Sequence, residues 1–140
     1  MSTPTAGYSG TPLAKKMGIK PGYSASVINM PAHYFSLFTD LPADVDWDGK
    51  GKKNFIHLFV KELKELEKKL PVLMKQIEQD GMIWVSWPKK ASKVPTDITE
   101  DHIRNYALKI GLVDVKVCAV DEVWSGLKLV IPLKDREKTR

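Results

Sequence analysis

The side chains with the clearest binding chemistry in this chain lie in one loop, between Ser86 and Thr96. The loop follows an apolar stretch, MIWVSW, and precedes a helix start near Thr99. Its cationic and hydroxyl side chains are Lys89, Lys90, Lys93, Ser86, Ser92 and Thr96. Ammonium groups, hydroxyls and the free amides of a helix start all bind anions. The loop therefore predicts a site for a carboxylate, phosphate or sulfate group.

A second polar segment follows the stretch VDVKVCAV and contains Asp121 and Trp124. If that stretch is a strand parallel to the central one, both segments lie at the carboxyl edge of the sheet, where α/β proteins bind ligands. We predict one small pocket with Trp87 and Trp124 as apolar walls. Its predicted ligand-binding residues are Ser86, Trp87, Lys89, Lys90, Ser92, Asp121 and Trp124.

The same residues also have a purely structural interpretation. The lysines would then be solvated, and Pro88 and Pro95 would stiffen the loop. Trp87 would cover the end of the sheet, and Trp124 would pack under a hairpin. Loops between a strand and a helix usually take about 2 to 6 residues, and this one takes about ten. The extra length favours a functional role.

No other group of side chains predicts catalysis or metal binding. The three histidines have no metal-site spacing, and one cysteine cannot form a zinc cluster. His57 lies inside an apolar stretch, which predicts a hydrogen-bonded core residue, and Cys118 lies mid-strand as a packing residue. The segment GYSGT, from Gly7 to Thr11, could hold an anion or could be an ordinary flexible helix cap. We predict no catalytic residue and no particular cofactor.

Length and composition indicate one soluble domain over residues 1 to 140, with flexible tails at 1 to 10 and 133 to 140. Hydrophobic residues make up 43% and charged residues 28%, as in ordinary globular proteins. No apolar run is long enough to cross a membrane, and there is no secretory leader, so we expect a cytoplasmic protein. The net charge of +5 is scattered, which argues against a nucleic-acid partner.

Periodicity places the elements that position these residues. Buried strands are predicted at 24–29, 54–60 and 82–87, with a short edge strand at 45–47 and a closing hairpin from residue 113 to 131. Helices are predicted at 13–17, 31–38, 63–77 with a break at Pro71, and 99–110, capped by Asp97 with Glu100 or by Thr99. The pattern predicts a three-layer α/β sandwich. Its mostly parallel, Rossmann-like sheet has five to six strands and an antiparallel terminal hairpin strand.

The order of GIKPG, HLFV, LPVLMKQIEQDGMIWVSW and GLVDVKV resembles the frame of a Rossmann-like methyltransferase. More closely, AGYSGTPLAKKMGIKPG, DGMIWVSWPKKASKVPTDITED and VCAVDEVWSGLKLV resemble a small bacterial family of unknown function, over residues 6 to 131. Methyltransferases have a glycine-rich turn after the first strand, but the segment from Ile28 to Tyr34 has no glycine, and Pro31 lacks an amide proton. Asp46 and Asp48 are the ribose-binding carboxylates that the resemblance implies.

Three functional hypotheses follow. The first is a binding or regulatory module for a small anionic ligand at the carboxyl rim of the sheet. The first alternative is a degenerate S-adenosylmethionine-dependent, methyltransferase-like enzyme. The second alternative is a protein-interaction module that forms a homodimer through an aromatic stripe made of Met30, Tyr34, Phe35 and Phe38.

Overall fold

Six strands form one sheet in this computed structural model, which describes residues 11 to 47 and 49 to 136. The strands are β1 (Ser24–Ile28), β2 (Asp46–Trp47), β3 (Lys53–Phe59), β4 (Ile77–Pro88), β5 (Val113–Ala119) and β6 (Trp124–Val130). Their order across the sheet is β2-β1-β3-β4-β6-β5. The α-helices are α1 (Leu13–Met17), α2 (Leu63–Met74) and α3 (Glu100–Ile110).

The first four strands are parallel, and β6 lies antiparallel between β4 and β5. This confirms the predicted Rossmann-like α/β sheet with an antiparallel hairpin strand. The chain passes from β1 outward to β2 and then returns to the other side of β1 to form β3. The strand order therefore reverses between β1 and β3. In open α/β sheets this reversal leaves a crevice beyond the carboxyl ends of the two strands.

One face of the sheet is covered by α2 and α3. Alternate residues of β3 and β4, such as Ile56, Leu58, Ile83 and Val85, point to this face and are buried against the apolar stripes of both helices. Gly111 ends α3 with a left-handed φ of 105°, a conformation that glycine adopts without steric cost.

The opposite face is covered by α1 and by a 3-10 turn, Tyr34–Leu37. Phe55, Phe59 and Trp84 are buried on this side. The indole nitrogen Nε1 of Trp84 donates a hydrogen bond to the carbonyl of Met17 at 2.9 Å. This bond fixes the end of the short helix α1 to the middle of the sheet.

The predicted helix from Pro31 to Phe38 is wrong, because only Tyr34–Leu37 is helical and it is a 3-10 turn. The hydroxyl of Ser36 donates to the carbonyl of His33 at 2.7 Å, and the Ser36 amide bonds the same carbonyl at 3.0 Å. Serine side chains that bond the nearby backbone compete with the α-helical pattern. The tight turn leaves room for Tyr34 to enter the core.

The predicted break at Pro71 is also wrong, because α2 continues through it to Met74. A proline has no amide proton to donate, so the carbonyl of Glu67, four residues earlier, loses its helical partner. The hydroxyl of Tyr106 on α3 donates to that carbonyl at 3.0 Å. A tertiary contact thus satisfies the group that the proline leaves unpaired.

Candidate functional site

A cavity of about 520 Å³ lies beyond the carboxyl ends of β1 and β3, where the strand order reverses. We call it the switch-point crevice. Residues from the end of β1, the end of β3, the start of α2 and the start of β6 surround it. They are Asn29, Pro31, Phe59, Lys61, Glu62, Glu65 and Trp124.

Asn29 bridges the two sides of the switch-point crevice. Its side-chain nitrogen Nδ2 donates to the carbonyl of Phe59 at 2.9 Å and to the carboxylate of Glu65 at 2.8 Å. Its backbone has a φ of 60°, in the left-handed region that asparagine tolerates better than most residues. Asn29 directly follows β1, in the segment where the resemblance to methyltransferases implies a glycine-rich turn.

An aromatic pair forms the apolar side of the switch-point crevice. The rings of Phe59 and Trp124 meet edge to face with centroids 4.9 Å apart. The carboxylate of Asp121 accepts hydrogen bonds from the amides of Val123 and Trp124 at 2.8 and 2.7 Å, which sets the turn before β6. The other oxygen of Asp121 lies 3.0 Å from Nε2 of His33. This pair connects the β1 side of the rim to the hairpin.

A second cavity, of about 550 Å³, lies beside the lysine-bearing loop, and we call it the lysine-loop cavity. Trp87, Pro88, Lys89, Lys90, Thr96, Ile98, Thr99, Glu100 and Ser125 line it. Neither Lys89 nor Lys90 forms an ion pair within the part of the chain that the structure describes. The first turn of α3 lies on the same cavity, where Thr99 and His102 form a reciprocal cap.

The long loop is held in place by the start of α2. The hydroxyl of Thr96 donates to the carbonyl of Lys61 at 2.6 Å, and the Asp97 carboxylate accepts the amide of Leu63 at 2.7 Å. Asp97 therefore caps the first turn of α2. The predicted cap pairing Asp97 with Glu100 on α3 is wrong, and the alternative, Thr99 itself, is confirmed.

The loop and the hairpin are neighbours, but the predicted single pocket between two tryptophans is wrong. The amide of Lys89 donates to the carbonyl of Val123 at 2.7 Å. Trp87, however, is buried on the face covered by α2 and α3, and Trp124 on the opposite face. Trp124 aligns with Pro88 rather than with Trp87, and an offset of one residue turns a side chain to the other face.

Two predicted ligand-binding hydroxyls are already used inside the protein. Ser86 is fully buried, and its Oγ lies 2.7 Å from Nε2 of His57. Ser92 donates to the carbonyl of Lys89 at 2.7 Å and accepts the amide of Val94 at 3.2 Å. The predicted residues thus divide between the two cavities: Trp87, Lys89 and Lys90 line one, and Trp124 lines the other.

A buried hydrogen-bonded chain connects Tyr34, His57 and Ser86. The Tyr34 hydroxyl lies 3.0 Å from Nδ1 of His57, and all three residues are fully buried. Burial lowers the pKa of His57 to about 3 and raises the pKa of Tyr34 above its ordinary value. His57 is therefore neutral and hydrogen-bonded, which confirms its prediction as a core residue.

The other residues with predicted roles lie away from the switch-point crevice or outside the described part of the chain. Asp46 aligns with Ser24, at the amino end of β1 and away from the switch-point crevice, so it cannot reach a ribose there. The structure does not describe Asp48, the tail at 1 to 10 with the segment from Gly7 to Gly10, or the end of the other tail.

Within the described ranges, no group of three or more His, Cys, Asp or Glu could hold a metal ion. No described helix combines the length and apolar character that a bilayer span requires.

The aromatic stripe is only partly exposed. Tyr34 and Phe38 are buried, whereas Phe35 is 46% and Met30 is 39% exposed. The ring of Phe35 packs edge to face on Trp47 with centroids 5.1 Å apart. The homodimer remains a prediction, and only Met30 and Phe35 of the stripe offer it surface.

No family model and no curated protein matches the chain. Among solved structures, a ribosomal protein L11 methylase from Lactobacillus delbrueckii subsp. bulgaricus is 11% identical, with a TM-score of 0.55 over 84% of this chain and 73% of its own. A magnesium protoporphyrin IX methyltransferase from Synechocystis PCC 6803 with bound S-adenosylmethionine is 8% identical, with a TM-score of 0.58 over 86% and 74%. A NADB-Rossmann superfamily protein from Streptococcus agalactiae is 9% identical, with a TM-score of 0.52 over 91% and 69%.

At these identities the comparisons establish the fold alone. The chain has the α/β Rossmann-like frame of methyltransferases, as its motifs predicted. The resemblance to a bacterial family of unknown function stays a prediction.

Sequence reasoning missed most of the switch-point crevice. Asn29, Glu62 and Glu65 are not among the predicted ligand-binding residues, because their types are ordinary for a turn and an amphipathic helix. A usable signal was present, since Asn29 directly follows the first buried strand and Glu62 closely follows the next buried strand. Both positions belong to the carboxyl rim of any parallel sheet.

Proposed function

We propose that this chain is a methyltransferase-like binding module that holds an adenosyl ligand of the S-adenosylmethionine class in the switch-point crevice. The observation that carries the proposal is the position of the crevice between β1 and β3, where the strand order reverses. Ligands of open α/β sheets bind at this point. A volume of about 520 Å³ lies in the range of small-molecule sites.

The side chains of the crevice suit the chemical groups of such a ligand. Trp124 and Phe59 offer an apolar wall to a purine ring. Glu62 and Glu65 offer carboxylates to ribose hydroxyls or to an ammonium group, and Lys61 offers a cation to a carboxylate. These residues would bind and orient the ligand. S-adenosylmethionine, when bound, supplies an activated methyl group.

The conventional mode of binding does not fit this chain. Asn29 and Pro31 stand where a glycine turn lets the backbone approach the cofactor, and a 3-10 turn follows β1 in place of a helix. Asp46 lies at the wrong end of β1 for a ribose contact. The ligand would therefore be held from the α2 side, by Glu62 and Glu65, and we propose binding rather than methyl transfer.

Isothermal titration with S-adenosylmethionine and S-adenosylhomocysteine tests this proposal. We expect both to bind the wild type. Glu65→Gln should weaken binding by about tenfold or more, the value of one hydrogen bond to a charged group. The matched control is Glu67→Gln, which makes the same change on α2 at a position that does not line the crevice. Absence of binding by both ligands, or equal losses in the two variants, would refute the proposal.

A second candidate function is binding of a small anion in the lysine-loop cavity. Its support is the pair Lys89 and Lys90, which line the cavity beside the start of α3 without ion pairs among the described residues. A thermal-shift screen with nucleotides and acidic metabolites should identify a stabilising ligand. The effect should disappear in Lys89→Ala with Lys90→Ala. It should persist in Lys64→Ala with Lys68→Ala, which removes equal charge from exposed positions of α2.

A further inference from the structure

Four lysines meet on the sheet face that α1 covers, away from both cavities. Lys116 on β5 and Lys128 on β6 lie directly opposite each other, and Lys128 is in register with Trp84 on β4. Residues in register point to the same face, so both lysines project toward the end of α1 that is bonded to Trp84. Lys16 and Lys20 lie on either side of Gly18, the residue that ends α1. We call Lys16, Lys20, Lys116 and Lys128 the lysine cluster.

Two short distances place Lys116 and Lys128 beside the end of α1. The ammonium of Lys116 donates to the carbonyl of Lys16 at 2.9 Å. A Cβ placed on Gly18 would lie 3.8 Å from Nζ of Lys128. Burial lowers the pKa of Lys128, and the charges of Lys116 and Lys20 lower it further. The side chains therefore repel one another in the folded protein.

No carboxylate neutralises the lysine cluster among the described residues. None of its four lysines takes part in an ion pair there. The amino-terminal part of the chain contains no aspartate or glutamate before Asp40, and the carboxylate of Asp40 accepts the amides of Ala14 and Lys15. Like charges directly opposite across a strand pair are destabilising. An anion bound between them would remove that cost.

We propose that the lysine cluster is a binding site for a compact, multivalent anion of the oligophosphate class. Lysine binds phosphate as a point charge, and four lysines grouped at one cross-strand pair suit a short chain of phosphates. A nucleic-acid strand needs a longer row of cations, because its phosphates repeat every ~3.4 Å along the helix axis. The cluster is separate from the switch-point crevice, because Lys128 lies four residues, or about 13 Å, along β6 from Trp124.

Thermal unfolding in inorganic tripolyphosphate at physiological salt tests this proposal. We expect the melting temperature of the wild type to rise by about 9 °C when the ligand concentration is about 100 times its Kd. The double variant Lys116→Gln with Lys128→Gln should lose this rise. Without ligand it should melt at or above the wild type, because a repulsive pair is gone. Lys64→Gln with Lys68→Gln, an equal charge change on α2, should keep the rise.

The single cysteine localises the ligand. Cys118 lies close enough to Lys16 and Lys116 that their charges partly offset the rise in thiol pKa that burial causes. An anion on these lysines should slow labelling of Cys118 by an uncharged maleimide about twofold, because it offsets the positive charges that favour the reactive thiolate. S-adenosylmethionine in the switch-point crevice should leave the labelling rate unchanged. Failure of one proposal therefore leaves the other testable.

Three outcomes would overturn the proposal. Tripolyphosphate could fail to stabilise the wild type, or the α2 control could lose the rise as fully as the cluster variant. A single-stranded oligonucleotide could produce the rise where tripolyphosphate does not, which would make the cluster a nucleic-acid surface. If the double variant folds poorly, the exposed single variant Lys20→Gln serves instead, and it must reduce the rise.

Discussion

Because His57 is buried in its neutral form, we can predict how much the free energy of unfolding changes with pH. In the unfolded chain this histidine binds a proton as pH falls through about 6.5, whereas in the folded protein its pKa is about 3. The folded pKa is depressed, so the contribution to stability is complete above pH 6.5 and is lost as pH falls toward 3. Each pH unit in that window removes about 1.4 kcal/mol. From pH 7 to pH 5 the loss from His57 alone should be about 2 kcal/mol.

The variant His57→Gln isolates this contribution, because glutamine does not titrate. At pH 7 we expect it to be about 1–3 kcal/mol less stable than the wild type, because the hydroxyls of Tyr34 and Ser86 lose a well-placed partner. The difference between the two proteins should shrink by about 2 kcal/mol at pH 5, since only the wild type is penalised there.

Urea unfolding followed by tryptophan fluorescence, from pH 5 to pH 7.5 at constant ionic strength, measures this difference. His33→Gln is the matched control, because His33 lies on the surface beside Asp121 and is not part of the buried chain. It should retain the steep pH dependence that His57 causes. A difference between wild type and His57→Gln that stays constant across this range would refute the reasoning, because a neutral buried histidine requires it to change.

Substitutions at three further positions test local features of the fold by the same urea assay. Gly126→Ala should lower the free energy of unfolding by about 1–3 kcal/mol, because a Cβ there would lie 3.0 Å from Cε3 of Trp84. An unchanged urea midpoint would show that the core accommodates the methyl group without loss of stability. Thr99→Ala should cost about 1 kcal/mol by removing the cap of α3, while circular dichroism stays helical. Asn29→Ala should be more destabilising than Asn29→Gly, because glycine, unlike alanine, adopts a left-handed backbone conformation without steric strain. The reverse order of stability would contradict this.

Much of the sheet was predictable because its central strands are buried on both faces. The runs around Ile56 and Ile83 are almost continuously apolar, and the closing hairpin alternates, as a half-exposed strand pair must. The two helical errors have causes that hydrophobic periodicity cannot show, one of them a local hydrogen bond and the other a tertiary contact. Ser36 tightens a turn with its own hydroxyl, and Tyr106, thirty-five residues beyond Pro71, satisfies a carbonyl in α2.

The candidate sites were less predictable than the strands. The rim was correctly expected to bring the lysine loop beside the hairpin, because strand ends in a parallel sheet share an edge. The grouping of these side chains into pockets was not predicted correctly, because it depends on strand register. Trp87 pairs with Ser125 and Pro88 with Trp124, and that alignment sends the two tryptophans to opposite faces.

Hydrophobic period, turn residues and element order are properties of neighbouring residues, so the amino-acid sequence alone specified the strands, most helices and the Rossmann-like frame. Only tertiary structure brought Asn29 to Glu65, Tyr34 to His57 and Lys116 to Lys16. These contacts join residues between 23 and 100 positions apart, and they depend on strand order and register across the whole sheet. The long-range packing that sets this register has no counterpart in any local pattern of residues.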